Sequence, residues 1–144
     1  MQDIKTMTRS LFDAYNNREF DKFAALSSDR LEWVDQATGV KFTGKEAIKN
    51  WCQAWVNAFP DAKVEVINHF ATNDQACTEY IGRGKQTGVL VMGHHKIPAS
   101  NKTVEFKMCN VIRVVDGKIT QGHAYFDLLG FMRQIGVEPG KMAA

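Results

Sequence analysis

Proline is scarce in this chain, three residues in 144, and cysteine is equally so. Cys52, Cys77 and Cys109 are odd in number and far apart, which argues against a closed disulfide framework. They read as reduced, buried thiols of a cytoplasmic protein. No apolar run approaches the ~18–20 residues of a membrane span, and the opening stretch Met1–Ser10 lacks the apolar segment of a signal peptide. Charge of one sign is also missing: 18 lysines and arginines face 16 aspartates and glutamates. The densest basic cluster, Lys41–Lys49, is broken by Phe42, Glu46 and Ala47, so no basic stripe for a nucleic acid is present. There is no glycine-rich phosphate loop, serine nucleophile elbow or Cys-His signature. His94 and His95 are adjacent, point to opposite sides of an extended segment and have no nearby partner pair, so no metal site is expected. What remains is 44% hydrophobic and 24% charged, the composition of one ordinary globular domain over residues 1–144, long enough for a real core.

Helical spacing of Ile4, Met7, Leu11 and Tyr15, then of Phe20, Phe23, Ala24 and Leu26, predicts two N-terminal helices broken near Asn16-Asn17. Alternation from Leu31 to Asp35 predicts a short strand, and residues 36–43 a loop. Lys45–Phe59 is a helix with Ile48, Trp51, Cys52, Trp55, Val56 and Phe59 on one face, stopped by Pro60. Four strands and an arm follow: strands over 62–71 and 75–87 joined at Asn73-Asp74, an irregular arm to Lys102, and strands over 103–115 and 118–126 joined at Asp116-Gly117. Leu128–Ile135 closes the chain as a short helix ended by Gly136. Helices first and an antiparallel sheet afterwards give an α+β fold, whose curled sheet wraps the helices and encloses a pocket.

Along the last strand Gln121, His123, Tyr125 and Asp127 share one face, and Gly122, Ala124 and Phe126 the other. An amide, an imidazole, a phenol and a carboxylate together suit a pocket wall better than a packed core. Asp127 has a second reading, as N-cap of the helix that begins at Leu128. Asp35, at the end of the first strand, is either a second acid/base candidate or a solvent-facing turn residue. Tyr15, Trp33, Trp51, Trp55, Phe106 and Met108 are pocket or core residues; three tryptophans and nine phenylalanines suit a planar aromatic or polycyclic ligand. Asn110, on an apolar central strand, requires a hydrogen-bonding partner.

The segments Gly44–Ile48, Ala58–Asp61, Gly84–Gly88, Ile97–Val104, Arg113–Ile119 and, above all, Tyr125–Gly136 resemble the SnoaL-like polyketide cyclases, also called ester cyclases. These belong to a superfamily of cone-shaped α+β barrels with nuclear transport factor 2, scytalone dehydratase and ketosteroid isomerase. The chain departs from the pattern at Lys85-Gln86, where relatives often have threonine and histidine, at His123, often tryptophan, and in a longer 89–96 stretch. The resemblance implies a homodimer with no metal or organic cofactor, acting on a small hydrophobic or aromatic carbonyl compound. It implies Asp127 as acid/base of an intramolecular aldol-type cyclisation; the shared strand face makes His123 its candidate partner and Tyr125 a candidate substrate contact, and Asn110 is a further candidate from its apolar setting. An isomerase- or dehydratase-like site would instead use Asp35 with Tyr15 as donor. A non-catalytic ligand-binding module is the third reading, because fold does not set function.

Overall fold

Asp3 opens the first helix in the computed structural model, which describes residues 3–138: its side chain accepts the Thr6 N–H at 2.7 Å. Helix α1 (Ile4–Asn16) buries Met7, Leu11, Phe12 and Ala14 and ends as Arg18 enters the left-handed region at φ 60°. The Arg18 guanidinium donates to the carbonyls of Tyr15, Pro60 and Ala62, tying this turn to the segment after the third helix. Helix α2 (Asp21–Leu26) leads into β1 (Ser27–Asp35) and β2 (Val40–Thr43). Helix α3 (Ala47–Ala58) buries Ile48, Trp51, Cys52 and Trp55 and stops before Pro60. Strands β3 (Lys63–Ala71), β4 (Gln75–Lys85), β5 (Leu90–Met92), β6 (His95–Ile97), β7 (Thr103–Val115) and β8 (Lys118–Phe126) follow, and α4 (Leu128–Gln134) closes. Among the described residues no helix is long and apolar enough to cross a membrane. The outermost residues of the 1–144 domain lie outside the described residues.

The main sheet runs β2-β1-β8-β7-β4-β3 and wraps α1 and α3 with one face. It is mixed, which corrects the antiparallel expectation: β1 pairs parallel to β8, Trp33 opposite Gly122 and Asp35 opposite Ala124. Such a pairing joins segments more than half the chain apart, so local turn signals carry no trace of it. Two further elements depart from the sequence reading. The expected loop over 36–43 holds β2, which pairs with β1, and the irregular arm holds the β5–β6 hairpin, laid against α3. The arm is fastened at its root by Gln86, wholly buried: its Nε2 donates to the carbonyls of Gly88, Ile97 and Pro98, while its Oε1 accepts the Ser100 N–H.

The outer face of the sheet carries Cys77 and Cys109, so two of the three thiols expected to be buried are only half-buried, with sulfurs 3.6 Å apart. Burial and the Cys77 contact push the Cys109 thiol up to about 11. Exposed Ile67, Phe70, Val115 and Tyr125 lie on the same side of the strands.

Gly122 has a specific steric task. A Cβ there would fall 2.2 Å from Cε3 of the buried Trp33 ring, whereas one at Gly82 would meet Phe106 at an ordinary 3.7 Å. Gly122→Ala is therefore expected to lose about 2–3 kcal/mol of unfolding free energy through overpacking. Gly82→Ala should stay within about 1 kcal/mol of wild type. Urea denaturation followed by circular dichroism checks both.

Candidate active site

A cavity of about 70 Å³ lies between α1, α3 and the inner face of the sheet. Tyr15, Trp33, Trp51, Trp55 and Asn110, all expected near substrate, line it together with residues such as Phe106. The volume is smaller than the ~150 Å³ apolar cavity that takes a single benzene, so an aromatic or polycyclic ligand enters only as side chains of the wall move. Exposed Lys63 and Arg83 stand at one end, and Arg83 is held by Glu65 at 2.8 Å and Glu105 at 3.0 Å.

The walls are apolar with few polar groups. The Tyr80 hydroxyl donates to Asn110 Oδ1 at 2.9 Å, which supplies the partner Asn110 was expected to need. Burial drives the Tyr80 phenol well above its ordinary range, with nearby Cys52, Tyr15 and Asp35 adding to the shift. Tyr80 escaped the sequence reading; its signal was the alternation Thr78, Tyr80, Gly82 on the inward side of β4. Tyr15 is pushed up by burial and by Cys52, against the pull of Arg18, whose guanidinium lies 5.3 Å from the Tyr15 ring centroid. Both phenols are therefore neutral donors at physiological pH.

Asp35 is 3% exposed, which removes the solvent-facing turn reading. Its Oδ2 accepts the Trp51 indole N–H at 3.1 Å and its Oδ1 accepts the Thr38 N–H at 3.2 Å. Burial raises the carboxyl above the ordinary range, and these hydrogen bonds oppose the rise without cancelling it. Asp35 lines a smaller pocket of about 20 Å³ with Phe42, Leu90 and Met92; Trp51 and Trp55 line both spaces and form the partition between them. Asp35 and Tyr15 thus flank one aromatic wall without sharing a cavity.

Asp127, His123 and Tyr125 are placed otherwise than expected. Asp127 is exposed and caps α4, with Oδ1 accepting the Gly130 N–H at 2.9 Å. It lies outside the water-poor pocket in which it was to act. His123 sits on the outer face, its Nδ1 2.7 Å from Gln36 Nε2, and Tyr125 is 46% exposed there. The side of β8 that faces inward is Gly122, Ala124 and Phe126. Small residues are needed there because the indoles of Trp33, Trp51 and Trp55 fill the space from β1 and α3. Among the described residues no cluster of three or more His, Cys, Asp or Glu is placed to hold a metal ion.

Comparison with known proteins agrees with this architecture. Residues 5–135 match the family model of the SnoaL-like polyketide cyclases. A candidate SnoaL-like polyketide cyclase from Jannaschia sp. CCS1 superposes with a TM-score of 0.81 at 19% identity, over 96% of this chain and 98% of that one. A protein of ketosteroid isomerase-like fold from Catenulispora acidiphila DSM 44928, solved with trimethylamine, gives 0.74 at 18% identity, over 95% and 96%. An epoxide hydrolase of the LEH-like type from M. tuberculosis gives 0.66 at 20% identity, over 91% and 87%. At these identities the likeness establishes the fold. A search of curated proteins finds no match.

Two substitutions separate the carboxylates. Asp127→Ala should cost about 1 kcal/mol of stability through loss of the cap. Asp35 has a raised folded-state pKa, so its favourable contribution is full below its unfolded value and fades as pH climbs through the raised one. The stability of Asp35→Asn relative to wild type should therefore improve as pH rises over the range upward from about pH 4, the unfolded value, whereas an unperturbed carboxyl would give no such slope. Thermal melts across that range measure the trend.

Proposed function

Because this chain belongs to the SnoaL-like polyketide cyclase family, we propose that it is an enzyme moving a proton on a small hydrophobic carbonyl compound, with Asp35 as the acid/base. The observation that carries this reading is a buried carboxyl of raised pKa at the edge of an apolar, aromatic-walled cavity. A carboxylate whose pKa is raised by burial is a stronger base, and its acid form persists to higher pH for returning the proton. The substrate ring occupies the larger cavity, and the reading requires the Trp51 and Trp55 rings that separate the two spaces to shift so that its acidic carbon meets Asp35. Asp35 takes the proton from the carbon beside the carbonyl and later gives it to the oxygen that becomes a hydroxyl as an aldol-type ring closes. An isomerase or a dehydratase begins with the same abstraction, with the neutral Tyr15 phenol as donor; Tyr15 lines the larger cavity and Asp35 the smaller one, so that second reading also needs the Trp51–Trp55 partition to open. The chemistry asks for no metal or organic cofactor.

The protein acts in the cytoplasm as a homodimer formed through the outer sheet face, where Ile67, Phe70 and Tyr125 expose apolar surface. Phe70→Glu should convert dimer to monomer in sedimentation equilibrium, and a monomeric wild type would remove that assignment.

Exchange of α-protons on small cyclic ketones in D₂O, followed by NMR, reports the abstraction without a known substrate. Wild type should accelerate exchange, with a rate that rises with pH as Asp35 ionises. Asp35→Asn should lower the rate about 10²–10⁴-fold, and Asp127→Asn should leave it within about two-fold. Exchange surviving in Asp35→Asn sinks the assignment.

A further inference from the structure

Every indole in the cavity wall is buried, but their N–H groups are not alike. Trp51 Nε1 donates to Asp35 at 3.1 Å. Trp33 Nε1 is fully buried, and among the described residues it has no hydrogen-bond partner, in a residue only 1% exposed. Buried donors left without an acceptor are rare in folded proteins, and each calls for an explanation.

The ring's orientation supplies one. Cε3 and Cζ3 of Trp33 lie over Gly122, closest of any side-chain atoms to the place a Cβ would occupy. In an indole, Nε1 projects from the edge opposite Cζ3, so the donor is turned away from the β8 backbone. Trp33 is among the residues that line the cavity, with Tyr15 and Asn110 in the same wall. Its position is held by the pairing with Gly122 and by Trp51, whose centroid is 5.0 Å away. The donor is therefore rigid, dry and waiting for an acceptor that the protein does not provide.

We infer that the Trp33 indole N–H is the anchor for a hydrogen-bond-accepting oxygen, the carbonyl of a single-ring ketone or similar small ligand, in the larger cavity. The cavity of about 70 Å³ is smaller than the ~150 Å³ that takes a benzene, which favours the smallest rings. One ring enters only as side chains of the wall shift, unbranched Met108 among them. This inference deepens the reading of the cavity as the substrate site and rests on it, but it concerns binding and not the proton transfer at Asp35.

The test uses cyclohexanone and its near-isostere methylenecyclohexane, which keeps the shape and lacks the acceptor. In ¹H–¹⁵N spectra of the intact protein, the Trp33 indole resonance is identified by elimination with Trp51→Phe and Trp55→Phe, and directly with Trp33→Phe. Cyclohexanone should move that resonance downfield and bind wild type about five-fold more tightly than methylenecyclohexane, the usual worth of one hydrogen bond. Trp33→Phe, which deletes the N–H and keeps an aromatic ring, should lose that preference while still binding the hydrocarbon. Equal affinity of the two ligands for wild type, or a shift confined to Trp51 or Trp55, overturns the inference. If Trp33→Phe fails to fold, the wild-type resonance and the two wild-type affinities decide alone. Loss of α-proton exchange in Asp35→Asn with the indole shift intact would separate the two claims. A missing indole shift with exchange retained would strike only this one.

Discussion

The absence of a side chain at Gly122 is the constraint on which the interior depends. Without it, β1 could not lie parallel to β8 with the Trp33 indole pressed flat over the neighbouring backbone. With Trp33 in place, Trp51 stacks at a tilt of 49°, Trp55 meets Trp51 edge-on, and Trp55 reaches Phe106, Phe126 and Phe131. The same chain of rings leaves the cavity on one side and the Asp35 pocket on the other. Packing and function are here one arrangement, because the partition between the two spaces is itself the core.

Asp35 illustrates how a fold tunes a carboxyl with few means. Its backbone turns at the end of β1, where the Gly39 N–H donates to the Asp35 carbonyl, and its side chain is bound by the Thr38 amide of that same turn. Only the Trp51 bond comes from elsewhere in the chain. Two hydrogen bonds would favour the ionised form; burial against Trp51, Leu90 and Met92 outweighs them. The β5–β6 hairpin thereby helps to raise the Asp35 pKa through the apolar side chains of Leu90 and Met92, which exclude water.

Much of the fold was legible in the sequence. Strands β7 and β8 begin and end as read, because the turn at Asp116-Gly117 and the alternation around it are local signals. The parallel pairing of β1 was not, since its partner lies far along the chain and no turn connects them. The most instructive error concerns β8. Period-two alternation separates two faces but does not say which one turns inward. The polar set Gln121, His123, Tyr125 and Asp127 was read as a pocket wall, when it faces outward and the small residues Gly122 and Ala124 face the rings. The deciding fact is the volume that Trp33 and the α3 indoles occupy, which no single strand records. Tyr15, Trp33, Trp51, Trp55 and Asn110 line the cavity, as bulky aromatics and a lone amide on apolar elements have few other places to go.

The Gln86 side chain saturates the root of the arm between Gly88 and Asn101, with each of its polar atoms engaged by backbone. A loop pinned in that way is uncoupled from the sheet it leaves. Its tip at Gly93 and His94 can lengthen, shorten or change composition while β4 and β7 keep their register. The underside of the same hairpin, Leu90 and Met92, is part of the lid over Asp35. Descent with variation at the tip could therefore reshape the acid's surroundings and leave the scaffold untouched, so that new substrate preferences arise from a segment whose alteration carries little folding risk.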